Sequence, residues 1–274
     1  MTYTAATLRE VTARRRFAET HYPTRTPLDL LTVSNPKVAK GAAQLGYLPA
    51  VLHLAPHTLS GANLCPWASR ECAAGCLNTS GRGGIALDAS GLNAIQAARV
   101  RRSAMMIIEP DAFAAQLVAE VQRHARTAAR HGLRPCIRLN GTSDVAWHRT
   151  FPQVIAATLE TGARLYDYTK RPVPDAAAAG IDLTYSYPGG EGKAARRYLE
   201  SGYRCAVVFD TPRGAPLPDE WHAPWGNAYP VIDGDAHDLR FTDPAGVIVG
   251  LRAKGRLRGA LASRFGFVQS SLQV

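Results

Sequence analysis

The sequence predicts an α/β fold, built as a complete or partial (β/α) barrel with parallel strands behind an N-terminal helical and extended arm. From residue 134 onwards, short apolar runs alternate with helical patterns, which is typical of a parallel sheet with crossover helices. Six or seven such strands over about 200 residues match the size of a barrel of this kind. An open, doubly wound sheet is the alternative arrangement of the same elements.

The first half of the chain is predicted to be mostly helical around one buried strand. The predicted elements are a helix over 5–20, an edge strand over 28–34, a helix over 38–45, a buried strand over 50–55, and helices over 88–106 and 110–131. Apolar residues at helical spacing support the helices. Pro110 fits the first turn of the last of them, and Gly132 follows its end.

The second half supplies the alternation on which the fold class depends. Strands are expected over 135–140, 164–169, 182–187, 204–210, 229–233 and 246–251, with helices over 151–161, 174–180 and 191–201 between the first four. Gly162 and Gly202 directly follow two of these helical patterns, as glycine commonly does at a helix C-terminus. Three segments result: a basic arm over 1–48, a barrel-like domain over 49–260 with a cysteine loop over 57–84, and a C-terminal tail over 261–274.

Composition and charge narrow the class of protein. The 274 residues include no apolar run near 18 residues, which predicts no membrane-spanning helix, and the first thirty lack the apolar core of a secretory signal. Five cysteines, three of them clustered, fit a reducing cytoplasm better than a disulfide scaffold. The net charge of +10 is concentrated at the termini, and this indicates a polyanionic partner, nucleic acid above all. An Arg-rich composition without such a partner is the alternative.

The loop after the first buried strand concentrates reactive side chains more than any other stretch. Cys65, Cys72 and Cys76 follow one another with six and three residues between them. Thiolates favour iron–sulfur clusters and zinc, and three cysteines without an obvious fourth leave one coordination position open. His53 and His57 lie just upstream and are candidates to close it. An iron–sulfur cluster, a structural zinc knot and inert buried cysteines remain the three hypotheses.

Polar residues also recur where the predicted strands end. Because function gathers at the carboxyl ends of barrel strands, we expect these residues to surround the cysteine loop. The candidate catalytic residues are Asn140, Asp144, Lys170, Asp210 and Asp233, and the candidate cofactor-binding residues are Ser186, Gly189, Gly190 and Glu191. The alternative for each acid is a helix cap or a turn.

Two further patterns lie near the C-terminus. The segment 233–238, which reads DGDAHD, contains acids and a histidine that could hold a divalent metal, although an acidic turn needs none. Arg252, Lys254, Arg256 and Arg258 alternate along the chain and would face one side of an extended segment. That stripe suits contacts to phosphates, and a charged edge strand is the alternative.

Several motifs together resemble one known family. They are NPK at 35–37, LSGANLCPWASRECAAGC at 59–76, GR at 81–82, RLNGTSDVAW at 138–147, YDYTKRP at 166–172 and the stretch 231–255. They are similar to the phage and plasmid proteins named after gene product 88 of a mycobacteriophage. The resemblance covers nearly the whole chain after about residue 30 and implies a viral or mobile-element setting, without implying a chemistry.

A second resemblance is architectural. A three-cysteine loop directly after the first strand of a (β/α) barrel is similar to radical S-adenosylmethionine enzymes, in which three cysteines hold a [4Fe–4S] cluster and the open iron binds S-adenosylmethionine. The resemblance implies that Cys65, Cys72 and Cys76 are the cluster ligands. The sequence departs from the family in its cysteine spacing and in the position of Gly189-Gly190-Glu191, which follows the predicted fourth strand rather than the second.

Two function hypotheses follow. The first is an iron–sulfur enzyme, radical S-adenosylmethionine-like, that modifies its substrate. The second is a nucleic-acid-binding accessory protein whose cysteines form a structural zinc knot. A hydrolase that uses Asp235 and His237 is a third and weaker hypothesis.

Overall fold

The computed structural model of the chain describes residues 28–33, 44–76, 78, 92–254 and 266–271. The predicted helix over 5–20, nearly all of the one over 38–45 and the start of the one over 88–106 lie outside these ranges. So do the last part of the cysteine loop and the cations Arg256 and Arg258.

The described elements alternate as the sequence predicts. The strands are β1 (Leu31–Thr32), β2 (Tyr47–Leu52), β3 (Arg134–Arg138), β4 (Arg164–Thr169), β5 (Ile181–Ser186), β6 (Arg204–Phe209), β7 (Glu220–His222), β8 (Ala228–Asp233), β9 (Ile248–Arg252) and β10 (Val268–Gln269). The helices are α1 (Arg70–Ala74), α2 (Ala94–Ile108), α3 (Pro110–Arg130), α4 (Trp147–Thr150), α5 (Pro152–Glu160) and α6 (Lys193–Glu200), with 3-10 turns at Asp175–Ala179 and Arg240–Thr242. No helix in the described ranges is long and apolar enough to cross a membrane.

The strands form one mixed, mostly parallel sheet. Its order is β1-β2-β3-β4-β5-β6-β9-β8-β7, with β10 added beside β6. Only β1 and β7 pair antiparallel, each with a single neighbour at one end of this order. In the described part of the chain the sheet is therefore open, and the predicted barrel is not confirmed, because antiparallel edge strands stand where a barrel would close through parallel pairing.

The helices pack on one face of this sheet and form the main core with it. Inward-facing residues of successive strands, such as Leu52, Ile137 and Leu165, belong to the same buried cluster as Phe113 and Leu117 of α3. Strand order follows chain order from β2 to β6, so right-handed crossovers all place their helices on the same side.

The opposite face of the sheet is covered by a segment between β8 and β9. Tyr47, Cys136 and Tyr166, which alternate with the core residues of their strands, pack against Leu239 and Phe241. Because β2 to β6 are parallel, their carboxyl ends meet at one edge. The described part of the cysteine loop and the strand ends at Asp144, Lys170 and Ser186 meet at that edge.

Candidate functional site

Cys65 is held between the start of its own loop and the loop after β3. Its Sγ accepts a hydrogen bond from the His57 backbone amide at 3.2 Å and donates one to the Thr142 carbonyl at 3.7 Å. The His57 ring is exposed and lies 3.2 Å from the Thr58 hydroxyl. The backbone of His57, rather than its ring, therefore makes the contact with the first cysteine.

Cys72 and Cys76 lie on and directly after the short helix α1. The helix begins at Ser69, whose hydroxyl accepts the Cys72 amide at 3.2 Å, and ends at Gly75. The Cys72 side chain packs against a small buried cluster formed by Ala253, Phe267 and Val268. All three cysteines of the loop are partly buried and form no disulfide.

The three thiols are close enough to influence one another. The pKa of Cys65 is raised to about 12, chiefly by burial and partly by the charges of Cys76 and Cys72, while the hydrogen bond from the His57 amide acts in the opposite direction. Burial also raises the pKa of Cys76, while the positive charge of Arg99 acts to lower it. Within the described ranges, however, no group of three or more His, Cys, Asp or Glu side chains could hold a metal ion as it stands. The donor chemistry fits a soft metal, and binding would have to draw the thiols together.

His53, at the end of β2, carries a buried polar atom without a partner. Its Nδ1 makes no hydrogen bond among the described residues, and its ring packs directly against Gly141. The pKa of His53 is lowered to about 3, chiefly by burial and also by the positive charges of Arg99 and Arg138. The imidazole is therefore neutral at physiological pH, with its electron pair available.

Asn140 and Asp144 follow β3, as predicted, and both are engaged in hydrogen bonds. The Asn140 amide nitrogen donates to the Val145 carbonyl and to Asp167, while its Oδ1 accepts from Ser143, Val145 and the Trp147 indole. This side chain fixes the turn after β3 and leaves little capacity for a ligand.

Asp144 connects the strand ends to the cysteine loop. Its carboxylate accepts the Thr169 hydroxyl at 2.8 Å and the Lys170 backbone amide at 2.9 Å, and its own amide donates to the Leu64 carbonyl at 2.8 Å. Burial raises the pKa of Asp144, and these hydrogen bonds counteract the shift. The residue before Cys65 is thereby tied to the ends of β3 and β4.

Lys170 points from the end of β4 towards the end of β5. Its Nζ donates to the Ser186 hydroxyl at 2.6 Å and to the Ser186 carbonyl at 3.0 Å, and it lies 5.2 Å from the centre of the Phe267 ring. Burial lowers the pKa of Lys170, while the nearby Cys72 and Asp144 raise it. Lys170 thus lies near the cysteine loop and is bonded to Ser186.

The glycines after β5 lie close by, but Glu191 faces solvent. Gly189 and Gly190 both have positive φ angles, and the Gly190 carbonyl accepts the Tyr187 hydroxyl at 2.5 Å. The Glu191 side chain is 81% exposed and pairs with Lys193 at 2.9 Å. The structure gives Glu191 a surface ion pair as its partner.

Asp210 and Asp233 are exposed and have partners outside this cluster. Asp210 accepts the Ser271 amide at 2.6 Å, and Asp233 pairs with Arg252 at 2.9 Å. Asp235 pairs with Arg252 and with Lys254. The two described cations of the predicted phosphate stripe are therefore engaged with the acids of the predicted divalent-metal segment.

Sequence reasoning did not single out a buried ionic network under the site. Arg138 of β3 pairs with Asp238 at 2.9 Å and lies 3.8 Å from Asp167 of β4. The pKa of Asp167 is raised to about 8, because the effect of burial outweighs the opposing positive charge of Arg138. Charged residues inside two predicted strands were the available signal, since a charge in a central strand needs a buried partner.

Comparison with known proteins gives one match. The family model described as Gene product 88 matches residues 29–270. No curated protein and no solved structure matches the chain. The matched range contains all three cysteines of the loop and every polar strand end described above.

Proposed function

The chain belongs to the gene product 88 family, and from its cysteine loop we propose that Cys65, Cys72 and Cys76 hold an iron–sulfur cluster in a cytoplasmic modifying enzyme. The observation that carries the proposal is the convergence of three mutually interacting thiols at the carboxyl edge of a parallel sheet. A cluster held by three cysteines supplies an open iron for a small molecule, together with one-electron redox chemistry.

The surroundings of the thiols support a negatively charged centre. The positive charge of Arg99 favours the thiolate form of Cys76, and the Lys170 ammonium lies near Cys72 and Cys65. Cations beside thiolates offset the negative charge that three such ligands accumulate. His53, which is neutral and has no hydrogen-bond partner at Nδ1 among the described residues, is near enough to Arg99 for that charge to lower its pKa, and it is available to the same region.

We further propose a partial-barrel organisation and S-adenosylmethionine as the small molecule. The strands β2 to β6 follow chain order with their helices on one face, as in half of a (β/α) barrel. Ser186, Gly189 and Gly190 lie at the edge that such a ligand would occupy. Glu191 is exposed and pairs with Lys193, so it gives less support to S-adenosylmethionine as the ligand. The proposal therefore depends on the cysteines.

Metal analysis of anaerobically purified protein tests the cluster. We expect a brown protein with stoichiometric iron and sulfide, and loss of both in the variants C65A, C72A and C76A. C136A is the matched control, because Cys136 is buried on the opposite face of the sheet. Full iron in all three loop variants, or a colourless wild type without iron, would overturn the proposal.

The second candidate is a nucleic-acid-binding accessory protein with a structural zinc knot. The net charge of +10, with its basic termini, favours it. It predicts one zinc per chain and binding to DNA or RNA that weakens steeply with salt. No retention on nucleic acid at low salt would exclude it, and zinc in place of iron would favour it over the cluster enzyme.

A further inference from the structure

Lys170 is a cation in the candidate site that pairs with no carboxylate among the described residues. Its two hydrogen bonds go to oxygens of Ser186, both formally neutral. An ammonium has three donors, so one remains. Among the described residues, the partners of Nζ are these two oxygens of Ser186, and no ion pair to a carboxylate is formed. A partly buried charge with only neutral partners is costly unless something else compensates it.

The nearest acid is already committed. Asp144 directs its two carboxylate oxygens to the Thr169 hydroxyl and to the backbone amide of Lys170, not to the ammonium. On the other side the ammonium lies over the Phe267 ring, which belongs to the small buried cluster that Cys72 packs against. Lys170 and Ser186 both remain partly exposed, so a ligand can reach them from the edge of the sheet.

We propose that Lys170 and Ser186 form an oxyanion subsite that holds a carboxylate or phosphate group of the substrate beside the cysteine loop. The ammonium supplies the charge and its third donor, and the Ser186 hydroxyl is a second group within reach of the same oxyanion. The inference rests on the proposed function only in calling the bound ligand a substrate. Its physical basis, an ammonium that has a free donor and no carboxylate partner next to a hydroxyl, does not require the cluster.

Ligand-dependent stability tests the subsite. The urea midpoint of the purified full chain is measured against inorganic phosphate and, separately, sodium acetate, with ionic strength held constant by KCl. We expect one of them to raise the midpoint along a saturating curve, as binding to the folded state alone requires. Saturation by phosphate identifies a phosphate group as the ligand, and saturation by acetate identifies a carboxylate.

Three variants locate the effect. K170M should abolish the saturating shift, whereas K193M, which removes an exposed lysine paired with Glu191, should retain it. S186A keeps the ammonium and should raise the half-saturating concentration roughly tenfold, the effect of one hydrogen bond to a charged group. S186A also carries the test if K170M does not fold.

A wild type that responds to neither anion overturns the inference. So does a K170M or S186A curve that is superimposable on that of the wild type. Iron and zinc are measured on the same samples. A chain that lacks iron but shows the Lys170-dependent shift loses the proposed cluster and keeps the subsite.

Discussion

Asn140 illustrates how a polar strand end can be structural although its position suggests catalysis. The side chain uses both amide hydrogens and places three donors on its Oδ1, one of them the buried Trp147 indole. Asp144 is also hydrogen-bonded, yet it links two strand ends to the residue before Cys65. Position in the sequence could not separate these roles, because the partners of Asn140 are set by how the turn folds back on β3.

We therefore expect N140A to act on stability. The substitution leaves the Trp147 indole, the Ser143 hydroxyl and the Val145 amide without their acceptor, and each buried unsatisfied group costs about 1–3 kcal/mol. The free energy of unfolding should fall by roughly 3–5 kcal/mol, measured by urea unfolding. N227A, at an exposed position, should change it by less than about 0.5 kcal/mol. A similarly small loss in N140A would return Asn140 to the list of catalytic candidates.

At the level of elements, periodicity predicted most helices and strands, and tertiary contacts moved their ends. The buried strand expected over 50–55 is β2, Tyr47–Leu52, which starts directly after Gly46 in a positive-φ turn. The apolar run continues beyond Leu52 because Leu54 and Ala55 are buried without belonging to the strand. The strand β7 was not predicted, since only its central residue, Trp221, is buried, and a three-residue edge strand leaves too little pattern.

The edge strand β1 depends on one carboxylate of α3. Glu120 is buried and accepts the backbone amides of Leu30 and Leu31 at 3.0 and 2.8 Å. E120A should leave both donors unpaired and lower the free energy of unfolding by about 2–4 kcal/mol. Hydrogen exchange at these two amides should accelerate ahead of the rest of the sheet. Q122A, exposed on the same helix, is the control, and unchanged protection of Leu30 and Leu31 in E120A would contradict the assignment.

For the whole molecule, the sequence predicted the class of fold but not how the sheet ends. Alternating strands and helices establish a parallel sheet, whereas closure depends on which edges meet, and no local pattern encodes that. The segment 261–274, expected as a tail, contributes β10, which pairs with β6 from Val268 to Gln269. Two apolar residues, Phe267 and Val268, were the only signal, too short a run to distinguish a strand from a loop.

A chain ending at residue 260 tests whether β10 belongs to the folded body. Its loss removes Phe267 and Val268, each at 5% exposure, and burying each side chain contributes about 1.5–3 kcal/mol. It also removes the acceptor of the Trp221 indole, Gln269 Oε1 at 3.2 Å. We expect the free energy of unfolding to fall by roughly 3–6 kcal/mol, measured as a lower urea midpoint. The tryptophan fluorescence should change as well. A chain ending at residue 271 should match the full chain. Phe267 lies beneath the Lys170 ammonium and belongs to the buried cluster that Cys72 packs against. The shorter chain should therefore bind iron and oxyanion more weakly. An unchanged midpoint with unchanged metal content would make this segment the tail that its sequence suggests.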